Sequence, residues 1–143
     1  MKYLLALLLA LMVGPAVPAW AASALPCEQK DFREFLTCFT KLNKADQLQH
    51  VQFPVQVTIY DLDGEQEVAA SADFFEEYTK VLAPAEEYEE DGGSLTVTEI
   101  NQNTMNVVTS DCSECGAMPQ DHVFVLTDQG WRMVSTTVDD TGL

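Results

Sequence analysis

The spacing of the apolar residues changes near His50 from a helical interval to a strand-like alternation, and this change limits the fold more than any other feature. In the preceding stretch, KDFREFLTCFTKLN, apolar side chains recur at helical spacing, and Asp31 with Glu34 resembles a capping box. In the following stretch, HVQFPVQVTIY, apolar and polar residues alternate. We predict an amphipathic helix of about 11 residues. We expect a half-buried strand to follow it, with Pro54 at a sheet edge or a bulge.

The rest of the chain contains a second helical pattern and several short strands. Asp63-Gly64 predicts a hairpin turn after the first strand, and Ser71 can cap a helix through ADFFEEYTKVL that Pro84 ends. The acidic run at 86–91 is typical of a solvated loop. Four strand-like segments follow with short connections that favour antiparallel pairing: SLTVTEI, TMNVVTS, DHVFVLT and WRMVSTTV. This order of elements predicts an α+β fold.

Four stretches of the sequence together resemble a known group of domains: FREFLTCF, LQHVQFPVQV, DFFEEYTKV and VFVLTDQGWRMVS. The resemblance is to a group of uncharacterised secreted bacterial domains with a cystatin-like or NTF2-like cone. The resemblance implies a curved antiparallel sheet packed on one face by two helices, which can enclose a pocket. The matching motifs are structural and not chemical, so the resemblance carries over no catalytic residue. The superfamily includes both enzymes and non-catalytic binding modules, and the fold alone does not choose between them.

The first residues have the pattern of a secretory signal peptide. MKYLLALLLALMVGPAVPAWAA begins with one basic residue, continues with an apolar block and reaches the small-residue pattern AWA. Pro15 and Pro18 interrupt the block before it is long enough to span a membrane, so we expect no stable membrane anchor after cleavage. We predict a signal peptide at 1–21, a single α+β domain at 22–143, and a periplasmic or secreted location.

The chain is strongly acidic, with 23 acidic and 7 basic residues and a formal net charge of −16. Removal of residues 1–21 takes away Lys2 and changes the formal charge to −17. Such a surface repels nucleic acid and attracts basic proteins or cations. The acidic run is the candidate partner surface: Glu86, Glu87, Glu89, Glu90 and Asp91. The alternative is that the charge only keeps a small domain soluble.

Four cysteines in an exported chain predict two disulfides, with three possible connectivities. The local pairs, Cys27 with Cys38 and Cys112 with Cys115, are favoured. The alternative connects the amino-terminal segment to the Cys112 loop, and the sequence leaves it open.

The stretch DCSECGAMPQDH also offers a soft-metal or redox interpretation. Cys112, Cys115, Met118 and His122 form a mixed ligand set that suits a cuprous ion, and the four cysteines together suit zinc. Thiols in an oxidising compartment tend to pair instead, and Asp111 with Glu114 disfavours a reactive thiolate. We therefore expect no metal and no other cofactor.

No spacing of residues indicates a catalytic set. The acidic stretch DLDGEQE lacks the glycine that a calcium loop needs at its sixth position. The residues to inspect for acid-base chemistry are His50, Tyr60, Tyr78 and Glu99. We expect both histidines, His50 and His122, to be surface or hydrogen-bonded residues and not bases. We expect a non-enzymatic binding domain, such as an immunity or inhibitor protein for a basic protein. The alternative is a cone that binds or transforms a small molecule, which Phe32, Phe35, Phe39, Phe74 and Phe75 would exclude by filling the concave face of the sheet.

Overall fold

A computed structural model describes residues 24–112, 116 and 118–141. In chain order the elements are α1 (Phe32–Phe39), α2 (Lys44–Leu48), β1 (Val51–Asp61), β2 (Gly64–Ala70), α3 (Ala72–Tyr78), α4 (Ala85–Glu90), β3 (Ser94–Asn101), β4 (Thr104–Ser110), β5 (Gln120–Thr127) and β6 (Gly130–Asp139). The strands form one sheet in the order β2-β1-β6-β5-β4-β3. Four of the neighbouring pairs are antiparallel, and β1 with β6 is parallel.

The predicted α+β fold with a curved sheet is confirmed, and one strand pair departs from the antiparallel plan. β1 and β6 are the first and last strands in the chain and are not joined by a short turn, so turn geometry does not set their direction. The register of this pair shifts between Val51 and Gln56. Pro54 lies in this irregular segment and needs no ladder hydrogen bond there, which confirms the predicted bulge.

The first helix begins as its cap predicts. The Asp31 carboxylate accepts hydrogen bonds from the backbone N–H groups of Arg33 and Glu34, both at 3.0 Å. The helix has 8 residues rather than about 11 because a new cap follows it. The side chain of Asn43 accepts from the N–H of Asp46 and starts α2, a helix that the apolar pattern does not predict.

The second predicted helix, α3, also begins at its expected cap, Ser71, but ends at Tyr78 instead of continuing to Leu82. The backbone of Leu82 forms hydrogen bonds with a side chain of α2 and not with α3. Its N–H donates to Gln47 Oε1 at 3.1 Å, and its carbonyl accepts from Gln47 Nε2 at 2.8 Å. Lys44 donates to the carbonyl oxygens of Glu76 and Thr79. These bonds take the backbone groups that further helical turns would need.

The prediction of a solvated loop in the acidic run was wrong, because residues Ala85–Glu90 form α4. The run contains one residue that can pack: Tyr88 is partly buried against the core. Its hydroxyl accepts from the N–H of Ala83 at 3.2 Å. Glu86 and Glu87 stand in the first helical turn, where their charge favours the helix. Tyr88 thus anchors this short helix to the core.

The predicted local disulfide between Cys27 and Cys38 is formed, with its Cα atoms 5.9 Å apart, and it joins the amino-terminal segment to α1. No cysteine in the described part of the chain is free. Cys115 lies outside the described residues, so the pairing of Cys112 with Cys115 stays a prediction. The proposed signal peptide at 1–21 lies outside them as well. None of the helices that the structure describes is sufficiently long and apolar to span a bilayer.

Candidate functional site: a cleft at the open end of the cone

The inner face of the sheet and the helices enclose a cone whose two ends differ. The closed end is the aromatic cluster Phe32, Phe35, Phe39, Phe124 and Trp131, in which every side chain is buried. Phe35 and Phe39 stack at 5.4 Å between ring centroids, and each also contacts the ring of Phe124. This end of the concave face is filled.

The other end of the cone is open. A cleft of about 440 Å³ lies between α3 and the ends of β1, β5 and β6. The lining side chains that matter for its chemistry are Asp61, Phe74, Tyr78, Lys80, Thr136 and Asp139. Helix α3 contributes the two aromatic residues, and the strand ends contribute the carboxylates. The early end of α3 leaves this space uncovered.

One side of the cleft is formed by the aromatic pair, Phe74 and Tyr78. These residues are four positions apart on α3 and therefore lie on the same helical face. Their rings stack with centroids 4.5 Å apart and an interplanar angle of 30°. Tyr78 remains 53% exposed. The pair packs against the core through Phe74 and offers the half-exposed ring of Tyr78 to the cleft.

One exposed apolar side chain lines the cleft, and three more belong to residues that are linked to its lining by the chain or by a backbone hydrogen bond. The described residues include six large apolar side chains that are exposed: Leu62, Tyr78, Val81, Val97, Ile100 and Met118. Leu62 and Val81 directly follow lining residues in the chain, and the N–H of Met118 donates to Asp139 at 2.9 Å. Of the six, Tyr78 lines the cleft itself.

The floor of the cleft contains a buried histidine whose two ring nitrogens are both occupied. His122 Nε2 lies 3.2 Å from the Thr109 hydroxyl, and Nδ1 lies 2.8 Å from the Thr136 hydroxyl. Burial lowers the pKa of His122 to about 4. The imidazole is neutral at neutral pH, and neither nitrogen is directed at the open space. In this arrangement it fixes Thr136 in the floor instead of acting as a general base.

The carboxylates at the edge of the cleft are held by hydrogen bonds. Asp139 accepts from the hydroxyl and N–H of Thr141 at 2.6 and 3.0 Å, and from the N–H of Met118. These bonds, the Thr141 hydroxyl first, lower the pKa of Asp139. Asp61 accepts from the N–H groups of Asp63 and Gly64 at 2.8 and 2.9 Å. Both side chains are therefore positioned before any ligand arrives.

The cation at this edge, Lys80, is already partnered. Its ammonium lies 3.7 Å from the Asp111 carboxylate, and both side chains are largely exposed. Asp140 also lines the cleft. The described lining therefore contains three carboxylates, Asp61, Asp139 and Asp140, and one ammonium that pairs with a residue outside the lining.

Several solved structures resemble this arrangement of a bent sheet and helices. An NTF2-like protein of Bacteroides fragilis superposes with a TM-score of 0.54 at 14% identity, over 78% of this chain and 47% of that chain. The fold is NTF2-like. An NTF2-like protein with a cystatin-like fold from Novosphingobium aromaticivorans matches with a TM-score of 0.35 at 14% identity, over 64% of this chain and 65% of that one. A protein of unknown function of the DUF3225 family from Pectobacterium atrosepticum matches with a TM-score of 0.43 at 15% identity, over 76% and 83%.

The likeness shows the fold alone, because so few residues are identical. This chain spans about half the length of the Bacteroides protein. No protein-family model and no curated protein sequence matches it. Function must therefore be argued from the side chains within the NTF2-like cone.

The residues proposed from sequence for a partner surface lie outside the cleft of the NTF2-like cone. Glu86, Glu87, Glu89 and Glu90 are exposed on α4, and Asp91 follows at its carboxyl end. The structure leaves their role untested.

The candidate metal ligands are not assembled into a site within the described residues. Both nitrogens of His122 are bonded to threonine hydroxyls, which leaves no free lone pair for a metal. Met118 is 42% exposed, and Cys115 lies outside the described residues. In residues 24–112, 116 and 118–141, no group of three or more His, Cys, Asp or Glu side chains is placed to hold a metal ion.

Of the residues singled out for acid-base chemistry, Tyr78 lines the cleft. His122 lines it too and is hydrogen-bonded, as expected. His50 is buried at the closed end, where Nε2 accepts from the N–H of Cys27 at 3.1 Å and Nδ1 lies 3.2 Å from the Trp131 carbonyl. Burial lowers the pKa of His50. Its role is structural.

Sequence reasoning missed Phe74, Lys80 and Asp139 as cleft residues. One signal was available for the first of them. Adjacent helical residues point about 100° apart, so Phe74 and Phe75 leave α3 in different directions and need not be equally buried. Phe75 is buried and Phe74 lines the cleft. The positions of Lys80 and Asp139 in the cleft depend on the early end of α3 and on the parallel pairing of β6 with β1. No local sequence pattern predicts either feature.

Proposed function

We propose that this protein is a binding domain that takes a small, partly apolar ligand in the cleft at the open end of the cone. One observation carries the proposal: a concave space of about 440 Å³ has a stacked aromatic pair on one side and hydrogen-bonded carboxylates at its edge. This volume lies within the range typical of small-molecule pockets.

The chemistry of the floor favours binding over catalysis. A general acid or base must reach the reacting group with a free proton or lone pair. His122 is engaged on both nitrogens, and the hydrogen bonds that lower the pKa of Asp139 make it a weak base. These groups can orient a ligand without transferring a proton to it.

The Cys27–Cys38 disulfide supports a location in which thiols oxidise, such as the periplasm or the extracellular space. We propose that the chain reaches it through the signal peptide at 1–21. Amino-terminal sequencing of the protein recovered from the periplasm or the medium tests this, and an intact Met1 would contradict it.

A matched pair of variants tests the cleft. Tyr78 and Ile100 are 53% and 58% exposed, and Ile100 is on β3, away from the cleft. We expect a fragment library screened by NMR to yield ligands that shift the amides of the cleft residues. Tyr78→Ala should weaken the best ligand by about fivefold or more through the loss of aromatic contact, while Ile100→Ala should leave it unchanged. The proposal would be contradicted if the screen yields no ligand, or if Tyr78→Ala leaves the affinity of the ligands unchanged.

A second candidate function is the binding of a basic protein by the acidic helix. The observation that favours it is that the four glutamates of α4 are exposed, and Lys80–Asp111 is the one ion pair formed within the described residues. Affinity capture from a periplasmic extract should recover a protein at low salt that is released at high salt. A variant with Gln at positions 86, 87, 89 and 90 should not retain it, and equal recovery by this variant would contradict the idea.

A further inference from the structure

We infer that the cleft selects an organic cation, a small ligand that carries an ammonium group on an apolar body. The inference rests on the proposed function, because it assigns a ligand class to the same cleft. Two independent features of the lining support it: the sign of its charge and the orientation of its aromatic rings.

The first feature is the excess of negative charge at the edge of the cleft. Asp61, Asp139 and Asp140 line it, and Lys80 is the one basic residue in the lining. The Lys80 ammonium pairs at 3.7 Å with Asp111, which does not line the cleft, and its charge also acts on Asp139. Three carboxylates therefore outnumber one shared cation. The whole chain carries a formal charge of −16, so the long-range field has the same sign. A cationic group is attracted to this edge, and an anionic group is repelled.

The second feature is the aromatic pair. The face of an aromatic ring carries partial negative charge and attracts an ammonium group placed over it. Phe74 and Tyr78 stack on each other, and the half-exposed ring of Tyr78 borders the open space. The same surface accepts the apolar body of a ligand. An amine with an aromatic or alkyl chain therefore meets complementary chemistry at both of its ends.

The carboxylates also have little freedom to lose on binding. Asp139 is fixed by three donors, and Asp61 by the two N–H groups of its turn. Side chains that are already ordered cost less conformational entropy when a ligand binds. The bonds at Asp139 also lower its pKa, so this carboxylate is ionised at neutral pH.

Three probes of nearly equal apolar size separate charge from shape: 2-phenylethylammonium, 2-phenylethanol and 3-phenylpropionate. NMR titration at low ionic strength gives the affinity of each probe and the amides that it shifts. We expect the ammonium compound to bind at least about tenfold more tightly than the carboxylate, and the difference to shrink with added salt.

Two variants locate the effect. Asp140→Asn removes one lining charge without touching the hydrogen bonds at Asp61 and Asp139, and should weaken the ammonium probe by about threefold. Glu87→Gln removes one exposed charge on α4 and is the matched control, with an expected change of less than about 1.5-fold. If Asp140→Asn and Glu87→Gln weaken the probe equally, the edge carboxylates do not select the ligand and the inference is overturned.

The outcomes distinguish this inference from the proposed function. If 2-phenylethanol or 3-phenylpropionate shifts the cleft amides as strongly as the ammonium compound, the preference for a cation is wrong and the cleft remains a binding site. If no probe binds and the fragment library also yields no cleft ligand, the proposed function fails together with the inference. Shifts confined to α4 would show only surface attraction of a cation, and would overturn the inference.

Discussion

Both ends of the cone contain packed aromatic side chains, but the rings are fully buried at one end and partly exposed at the other. At the closed end, Phe35, Phe39 and Phe124 surround one another and have no exposed surface. At the open end, Phe74 and Tyr78 stack in a similar way but leave ring surface in contact with the cleft. Aromatic residues therefore do not mark the core or the binding site by themselves. Whether neighbouring elements close over the rings decides which role they have.

At the open end, a small number of backbone contacts sets the residue at which α3 stops. Helix α1 is joined to the amino-terminal segment by the Cys27–Cys38 disulfide and lies over the closed end. Helix α3 stops at Tyr78 because Lys44 and Gln47, both from α2, bind the backbone of the residues that follow. The short helix α2 thus keeps one end of the cone open. The comparison of the two ends leads to four predictions.

The largest expected effect is the loss of a core ring. Phe35→Ala should lower the free energy of unfolding by about 3–5 kcal/mol, because it leaves a cavity in a closed cluster. Phe74→Ala should lower it by only about 1 kcal/mol, since that ring packs on one side. Urea titration of both variants measures the difference. If Phe35→Ala does not fold, Phe35→Leu should still lose more stability than Phe74→Ala, by a smaller margin. Equal losses of stability at Phe35 and Phe74 would contradict the distinction between a closed and an open end.

Acid should destabilise the protein through its two buried histidines. Burial depresses the pKa of His122 from about 6.5 in the unfolded chain to about 4, and depresses that of His50 as well. The unfolded chain therefore binds more protons between these values, and stability present above pH 6.5 is lost as the pH falls to about 4. For His122 the full loss is about 3 kcal/mol.

Stability curves from pH 7 to pH 4 measure this loss. His122→Asn removes the titrating group and should reduce the acid dependence, although the variant starts from a lower stability at neutral pH. His50→Asn makes the same test at the closed end. If the slope of stability against pH is the same in wild type and His122→Asn, this histidine does not titrate as its burial implies.

The disulfide should stabilise the closed end without affecting the cleft. Replacing Cys27 and Cys38 by Ala should lower the free energy of unfolding by about 2–3 kcal/mol, the value for a loop of this length. The affinity of a cleft ligand should remain within about twofold, because α3 and the strand ends are unchanged. Urea titration gives the first quantity and NMR titration the second. A large loss of affinity would show that the two ends are coupled.

Sequence patterns predicted the parts of the fold that depend on local chemistry. The caps at Asp31 and Ser71, the alternation in β1 and the bulge at Pro54 each follow from a few neighbouring residues. The cleft depends on contacts between distant residues, such as Gln47 with Leu82, which are 35 positions apart. Its position could not be read from periodicity because the same phenylalanine pattern suits a buried helix and a half-covered one.

Loss of a helix N-cap should have the smallest effect on stability, and the two ends should then differ in ligand affinity instead. Asp31→Ala removes the cap of α1, and Ser71→Ala removes the cap of α3. Each should lower the free energy of unfolding by about 1 kcal/mol, the usual contribution of an N-cap. Only Ser71→Ala should also weaken a cleft ligand, because α3 positions Phe74 and Tyr78 and is held by fewer buried side chains than α1. NMR titration of both variants with one cleft ligand measures this. A stronger loss of affinity in Asp31→Ala would mean that the closed end, and not α3, controls the shape of the cleft.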